Sequence, residues 1–182
     1  MGVTTFGVVS GQQITGDDSA QRLQPGTIYV YRTKETARPF SSWSLVEYVR
    51  FSTAVNKGDC VQVMDATDSE AVEMASTTNG CHGGGFRGIA AATHASANFG
   101  FVYIGGYCPF ARFSSVVAST KALILSGSTA GRLLVPLDGA FNATAGVTTT
   151  HGTMARVVAI ALGAASNAST DGTSIRLTSI WY

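Results

Sequence analysis

Phe101-Val102-Tyr103-Ile104, Ala122-Leu123-Ile124-Leu125 and Val157-Val158-Ala159-Ile160-Ala161-Leu162 are short runs that are apolar at every position. Successive side chains of a strand point to opposite faces, so a strand with one wet face alternates apolar with polar residues. These three runs do not alternate. Each therefore has its own core on one side and a second apolar surface on the other, either another sheet layer or a neighbouring subunit. That pattern points to a protein that works by packing against others.

Working outward from these runs, turn signals cut the chain at short intervals. Gln24-Pro25-Gly26 precedes a strand over Thr27–Thr33, and Ser44–Ser52 forms a second. Asn56-Lys57-Gly58-Asp59 is a turn leading into Cys60–Met64, and Glu70–Ala75 reads as the next strand. Phe86–Ala91 and Gly100–Gly105 follow, then a kink at Cys108-Pro109 and a strand over Ala111–Val117. Lys121–Ser126 and Arg132–Pro136 flank a hairpin loop, Gly127-Ser128-Thr129-Ala130-Gly131. Met154–Leu162 and Ser174–Tyr182 close the series. No amphipathic helix longer than two turns stands out. The expected fold class is all-β: a single β-sandwich or barrel domain of short antiparallel strands with an extended N-terminal arm. The arm or loop covers residues 1–26, with one short strand at Thr5–Val9, and the β-rich domain covers 27–182.

Composition narrows the function. The 182 residues fit one domain with a real core. Charged residues make up 13% of the chain, about half the usual quarter, so the surface is built from Ser, Thr, Gly and Ala. A net charge of +1 gives no footprint for nucleic acid or an anionic membrane. The longest apolar run, Ala155–Ala165, is too short to span a bilayer and contains Arg156. The N-terminus lacks the basic start and apolar run of a signal peptide. Cys60, Cys81 and Cys108 are odd in number and widely spaced. They read as reduced thiols in or near strands, suited to a reducing cytoplasm.

Candidate chemistry is sparse. Cys81-His82-Gly83-Gly84-Gly85 resembles the oxyanion loop of esterases. It lacks a nucleophile elbow: Gly127-Ser128-Thr129-Ala130-Gly131 has Thr at the central position and no helix after it. A permissive glycine turn is the better reading. His82, His94 and His151 stand at no metal-ligand spacing. The Asp65-Ala66-Thr67-Asp68-Ser69-Glu70 cluster lacks the glycine and the length of a calcium loop, and reads as a solvated turn. No catalytic residue, cofactor or metal is expected. The aromatic residues Phe40, Trp43, Tyr48, Trp181 and Tyr182 are the candidate interface anchors, because rings buried against a partner stabilise association strongly.

The strand series also carries a family resemblance, in Lys57-Gly58-Asp59-Cys60-Val61, Phe86-Arg87-Gly88-Ile89-Ala90 and Gly100-Phe101-Val102-Tyr103-Ile104-Gly105-Gly106. It continues through Ala130-Gly131-Arg132-Leu133, Arg156–Ala165 and Ser174-Ile175-Arg176-Leu177. In this order these phrases resemble the small head-decoration (cement) proteins of tailed bacteriophages. Ala159 stands where that family more often has Gly, and the first fifty residues match none of its phrases. The resemblance implies a β-rich virion structural protein, made in the host cytoplasm and bound to the outer surface of the capsid. There it would clamp neighbouring subunits of the major capsid protein, as a homo-oligomer, by preference a trimer. The other reading is a receptor- or glycan-binding module of a phage fibre or head knob, with exposed aromatic rings stacking on sugars.

Overall fold

A computed structural model describes residues 7–8, 11–33, 42–65, 68–75, 85–114, 116–126, 129–135, 157–165 and 172–178. In chain order the elements are β1 (Gly7–Val8), α1 (Gly11–Ile14), β2 (Ile28–Thr33), β3 (Ser42–Phe51), β4 (Cys60–Asp65) and β5 (Asp68–Met74). Then come β6 (Phe86–Ala90), β7 (Phe99–Arg112), β8 (Ala122–Leu125), β9 (Leu133–Leu134), β10 (Ala159–Ala161) and β11 (Gly172–Leu177). The protein is all-β. Among the described residues, eleven strands join one sheet in the order β1-β2-β3-β5-β4-β6-β7-β11-β10-β8-β9, with a further β3–β7 pairing.

That extra pairing closes a ring. β3 pairs β5 in parallel, β5 pairs β4, β4 pairs β6, β6 pairs β7 and β7 returns to β3, all antiparallel after the first. The remaining strands repeat the circuit. β7 pairs β11, β11 pairs β10, β10 pairs β8 and β8 pairs β9, all antiparallel. A parallel bridge from Leu133 of β9 back to Phe113 completes it. Both rings use β7: Gly106 lies opposite Ser44 of β3 and opposite Leu177 of β11.

The two rings agree residue by residue. The parallel pair Phe51–Val72 corresponds to Phe113–Leu133, and Val63–Val72 to Leu125–Leu133. Cys60–Ile89 corresponds to Ala122–Ile160, Ile89–Tyr103 to Ile160–Arg176, and Arg50–Phe99 to Arg112–Gly172. The connecting arches also match. Val55 and His94 exchange backbone hydrogen bonds of 3.0 and 2.9 Å, as Val117 and Ala165 do at 3.1 and 2.9 Å. Gly58 (φ 85°) and Thr120 (φ 67°) hold the same left-handed place in the turn after the arch. The first ring encloses Val49, Phe51, Val55, Val61, Val72, Ala90 and Val102. The equivalent residues Ala111, Phe113, Val117, Leu123, Leu133, Ala161 and Ile175 are buried in the second. The fold is a tandem of one five-stranded unit, with β7 as the common wall.

Three local expectations change. Cys108-Pro109 does not end a strand, because β7 continues through it. Thr173 faces Ala111 while Ile175 faces Cys108, so Pro109 sits in a bulge, where its missing N–H breaks no ladder bond. The strand expected over Ala111–Val117 ends at Arg112, with only bridges at Phe113 and Val117. The N-terminal arm is docked from Ile14 onward. Ile14 is buried in the main core, and Asp18 exchanges backbone bonds with Phe99 at 2.9 and 2.8 Å.

Candidate functional site

The doubly apolar runs divide. In β7, Phe101 and Tyr103 face the main core while Val102 lies inside the first ring, so both faces are covered within the chain. Tyr29 of β2 meets Phe101 edge-on at 5.8 Å, and Tyr48 meets the same ring at 5.2 Å. In the second ring the outer face is partly exposed among the described residues, with Arg176 opposite Ile160. Ile160 is 39% exposed and Val157 37%, beside half-buried Ala122, Ile124 and Leu134. The register holds this patch together: Ile160 lies opposite Ala122, and Ile124 opposite Leu134. In the first ring the equivalents of Ala122, Ile124 and Ile160 are Cys60, Gln62 and Ile89, all three buried. The counterpart of Leu134 is half-buried Glu73, so among the described residues the two copies differ chiefly at Ile160, exposed where Ile89 is buried.

A second apolar face surrounds Trp43. This residue is 59% exposed and is the second residue of β3, which begins two residues before the strand expected from Ser44. Arg32, its cross-strand neighbour, places its guanidinium 5.7 Å from the ring centroid, a cation–π contact. Alternation puts Leu45 on the same side as Trp43, opposite Val30, and all three flank solvent. The next residue in the row, Glu47, is fully buried and receives two hydrogen bonds from Arg87 of β6, Nε to Oε2 at 2.6 Å and Nη2 to Oε1. The ion pair marks where the ring interior gives way to the Trp43 face.

Two of the five sequence-predicted anchors, Trp43 and Tyr48, are among the described residues, and Trp43 is on the surface. Tyr48 is fully buried inside the chain, with Phe99 stacked on it at 6.0 Å and its hydroxyl donating to Asp18 at 3.2 Å. It is a core residue and offers no ring to a partner, because its place on β3 points it at the main core. Phe40, Trp181 and Tyr182 lie outside the described residues, as do His82, His151, Cys81 and Ser128. Cys60 and Cys108 are buried free thiols. Burial pushes Cys60 well above its ordinary value and Cys108 up to about 12. Among the described residues no group of three or more His, Cys, Asp or Glu is arranged to hold a metal ion. The same residues include no helix long and apolar enough to cross a membrane.

Sequence reasoning missed Arg32 and the Glu47–Arg87 pair. The signal for the pair was a lone carboxylate, Glu47, inside the otherwise apolar Leu45-Val46-Glu47-Tyr48-Val49. An acidic residue there needs a buried cation. No protein-family model matches the chain, and no curated protein matches it either.

Proposed function

We propose that this chain is a virion structural protein, a capsid decoration or cement protein. It binds the outer surface of a tailed-phage head and stabilises contacts between subunits of the major capsid protein. The observation that carries the reading is the open outer face of the second ring around Ile160, whose counterpart in the first ring the chain itself covers. An exposed apolar patch on a chain with so few charges is suited to a protein partner. The phage-like phrases over 57–61, 86–90, 100–106 and 156–165 give the class of that partner. Several weak contacts from a homo-oligomer, by preference a trimer, would add through raised effective concentration. The mechanism needs no catalysis and no cofactor.

Exposed Trp43 beside Arg32 favours a second reading, a glycan-binding module, since an exposed indole is a stacking surface for a sugar ring. Co-sedimentation with emptied capsids separates the two. Stoichiometric binding that Ile160→Asp abolishes, with loss of capsid thermal stability, supports cementing. Saturable binding to host polysaccharide that Trp43→Ala abolishes, with capsid strength unchanged, replaces it with the adhesin.

A further inference from the structure

The exposed surface around Ile160 lies close to where the chain leaves β11. Ile160 of β10 is opposite Arg176 of β11 and is 39% exposed. Two residues after Arg176, Thr178 is tied to the foot of β10. Its backbone N–H donates to the Val158 carbonyl at 3.0 Å, and its hydroxyl donates to the carbonyls of Val158 and Val157 at 2.9 and 3.2 Å. Val157 is itself 37% exposed. The chain thus passes Thr178 at a fixed point beside uncovered apolar surface. Ser179-Ile180-Trp181-Tyr182 follow, outside the described residues.

The duplication indicates what belongs on this surface. In the first ring Ile89 lies opposite Tyr103, the counterpart of Arg176, and Ile89 is fully buried. There the strand does not stop. β7 continues beyond Tyr103, and Cys108, five residues on, is buried in the same core cluster as Ile89 and Tyr103. Five residues beyond Arg176 stands Trp181. Ile160 is two residues along the chain from Val158, a span of about 7 Å, and four extended residues after Thr178 reach about 13 Å. We propose that residues 179–182 fold back over the outer face of the second ring, with Trp181 against Ile160, as a cap supplied by the chain itself.

The chemistry of the segment suits that place. Ile180, Trp181 and Tyr182 are all large and apolar or aromatic, and laying them on Ile160 and Val157 removes both surfaces from water. Arg176, exposed and opposite Ile160, offers a cation to the face of an indole lying there. The cap covers the same surface that a partner would use. Anything that binds around Ile160 must therefore displace residues 179–182, which makes them an autoinhibitory contact. This goes beyond the capsid reading and does not rest on it.

Trp43→Phe leaves Trp181 as the sole tryptophan of the chain, and acrylamide quenching of the isolated folded protein then reads the cap. The expected result is quenching several-fold weaker than in urea, unchanged on dilution, and raised toward the unfolded value by Ile160→Asp. Quenching as strong in the native protein as in urea overturns the proposal, and so does shielding of Trp181 that Ile160→Asp leaves intact. Shielding lost on dilution would assign the contact to a second copy and overturns it equally. Should Ile160→Asp not fold, nuclear Overhauser contacts between the Trp181 indole and the Ile160 methyls in Trp43→Phe decide, and their absence overturns it. None of these readings involves a capsid. A failed cap therefore leaves the capsid reading standing, and failed co-sedimentation leaves the cap standing.

Discussion

Replacing Arg87 by Met leaves the Glu47 carboxylate without its cation in a site closed to water. Met keeps the apolar stem, so the loss is chiefly electrostatic. Breaking a buried pair from one side costs about 3–5 kcal/mol. Urea unfolding at pH 7 measures it directly, and the loss should lower Tm by roughly 10 °C. The double variant Glu47→Leu/Arg87→Met, with no charge left to bury, should lie within about 1 kcal/mol of wild type. A single-variant loss under about 1 kcal/mol, or a double variant as unstable as the single one, would refute this account of the pair.

Thr120, in the left-handed turn position that Gly58 fills in the first ring, should accept Gly with a gain of up to about 1 kcal/mol, since the strain relieved exceeds the entropy Gly adds to the unfolded chain; a loss in denaturant midpoint would contradict it. Phe51→Ala and Phe113→Ala, at equivalent core places, should each cost about 3–5 kcal/mol, measured by thermal melting, and a small cost at either would deny that place its core role. Cys60 and Cys108, with thiols held protonated by burial, should resist alkylation at pH 8 in the folded protein and react fully in denaturant, read by peptide mass spectrometry; labelling of either in native protein would show the core to be open.

Turn chemistry and apolar runs were enough to place most strands in the sequence, because Gly58, Gly26 and Gly131 sit in left-handed turns that only a few residue types favour. The run at 101–104 declared two buried faces, and both are buried. The sequence did not announce that the second face would be covered by the same chain in the first ring and left open at Ile160 in the second. The duplication was faintly legible in Phe51-Ser52 with Val55 against Phe113-Ser114 with Val117. The other equivalences, such as Gly88 with Ala159 and His94 with Ala165, share backbone register and little side-chain chemistry. Trp43 was visible as a candidate anchor just ahead of the strand expected from Ser44, and it lies within β3. Tyr48 was misjudged because its partners, Asp18 and Phe99, come from elements far along the chain.

A wall common to two rooms cannot be taken down from one side. β7 supplies hydrogen bonds to β3 and β6 through its first half and to β11 through its second. Melting either unit strips the other of a stave, which argues for one all-or-none transition from a chain built of two look-alike halves. Load applied along the molecule would meet resistance at this same strand.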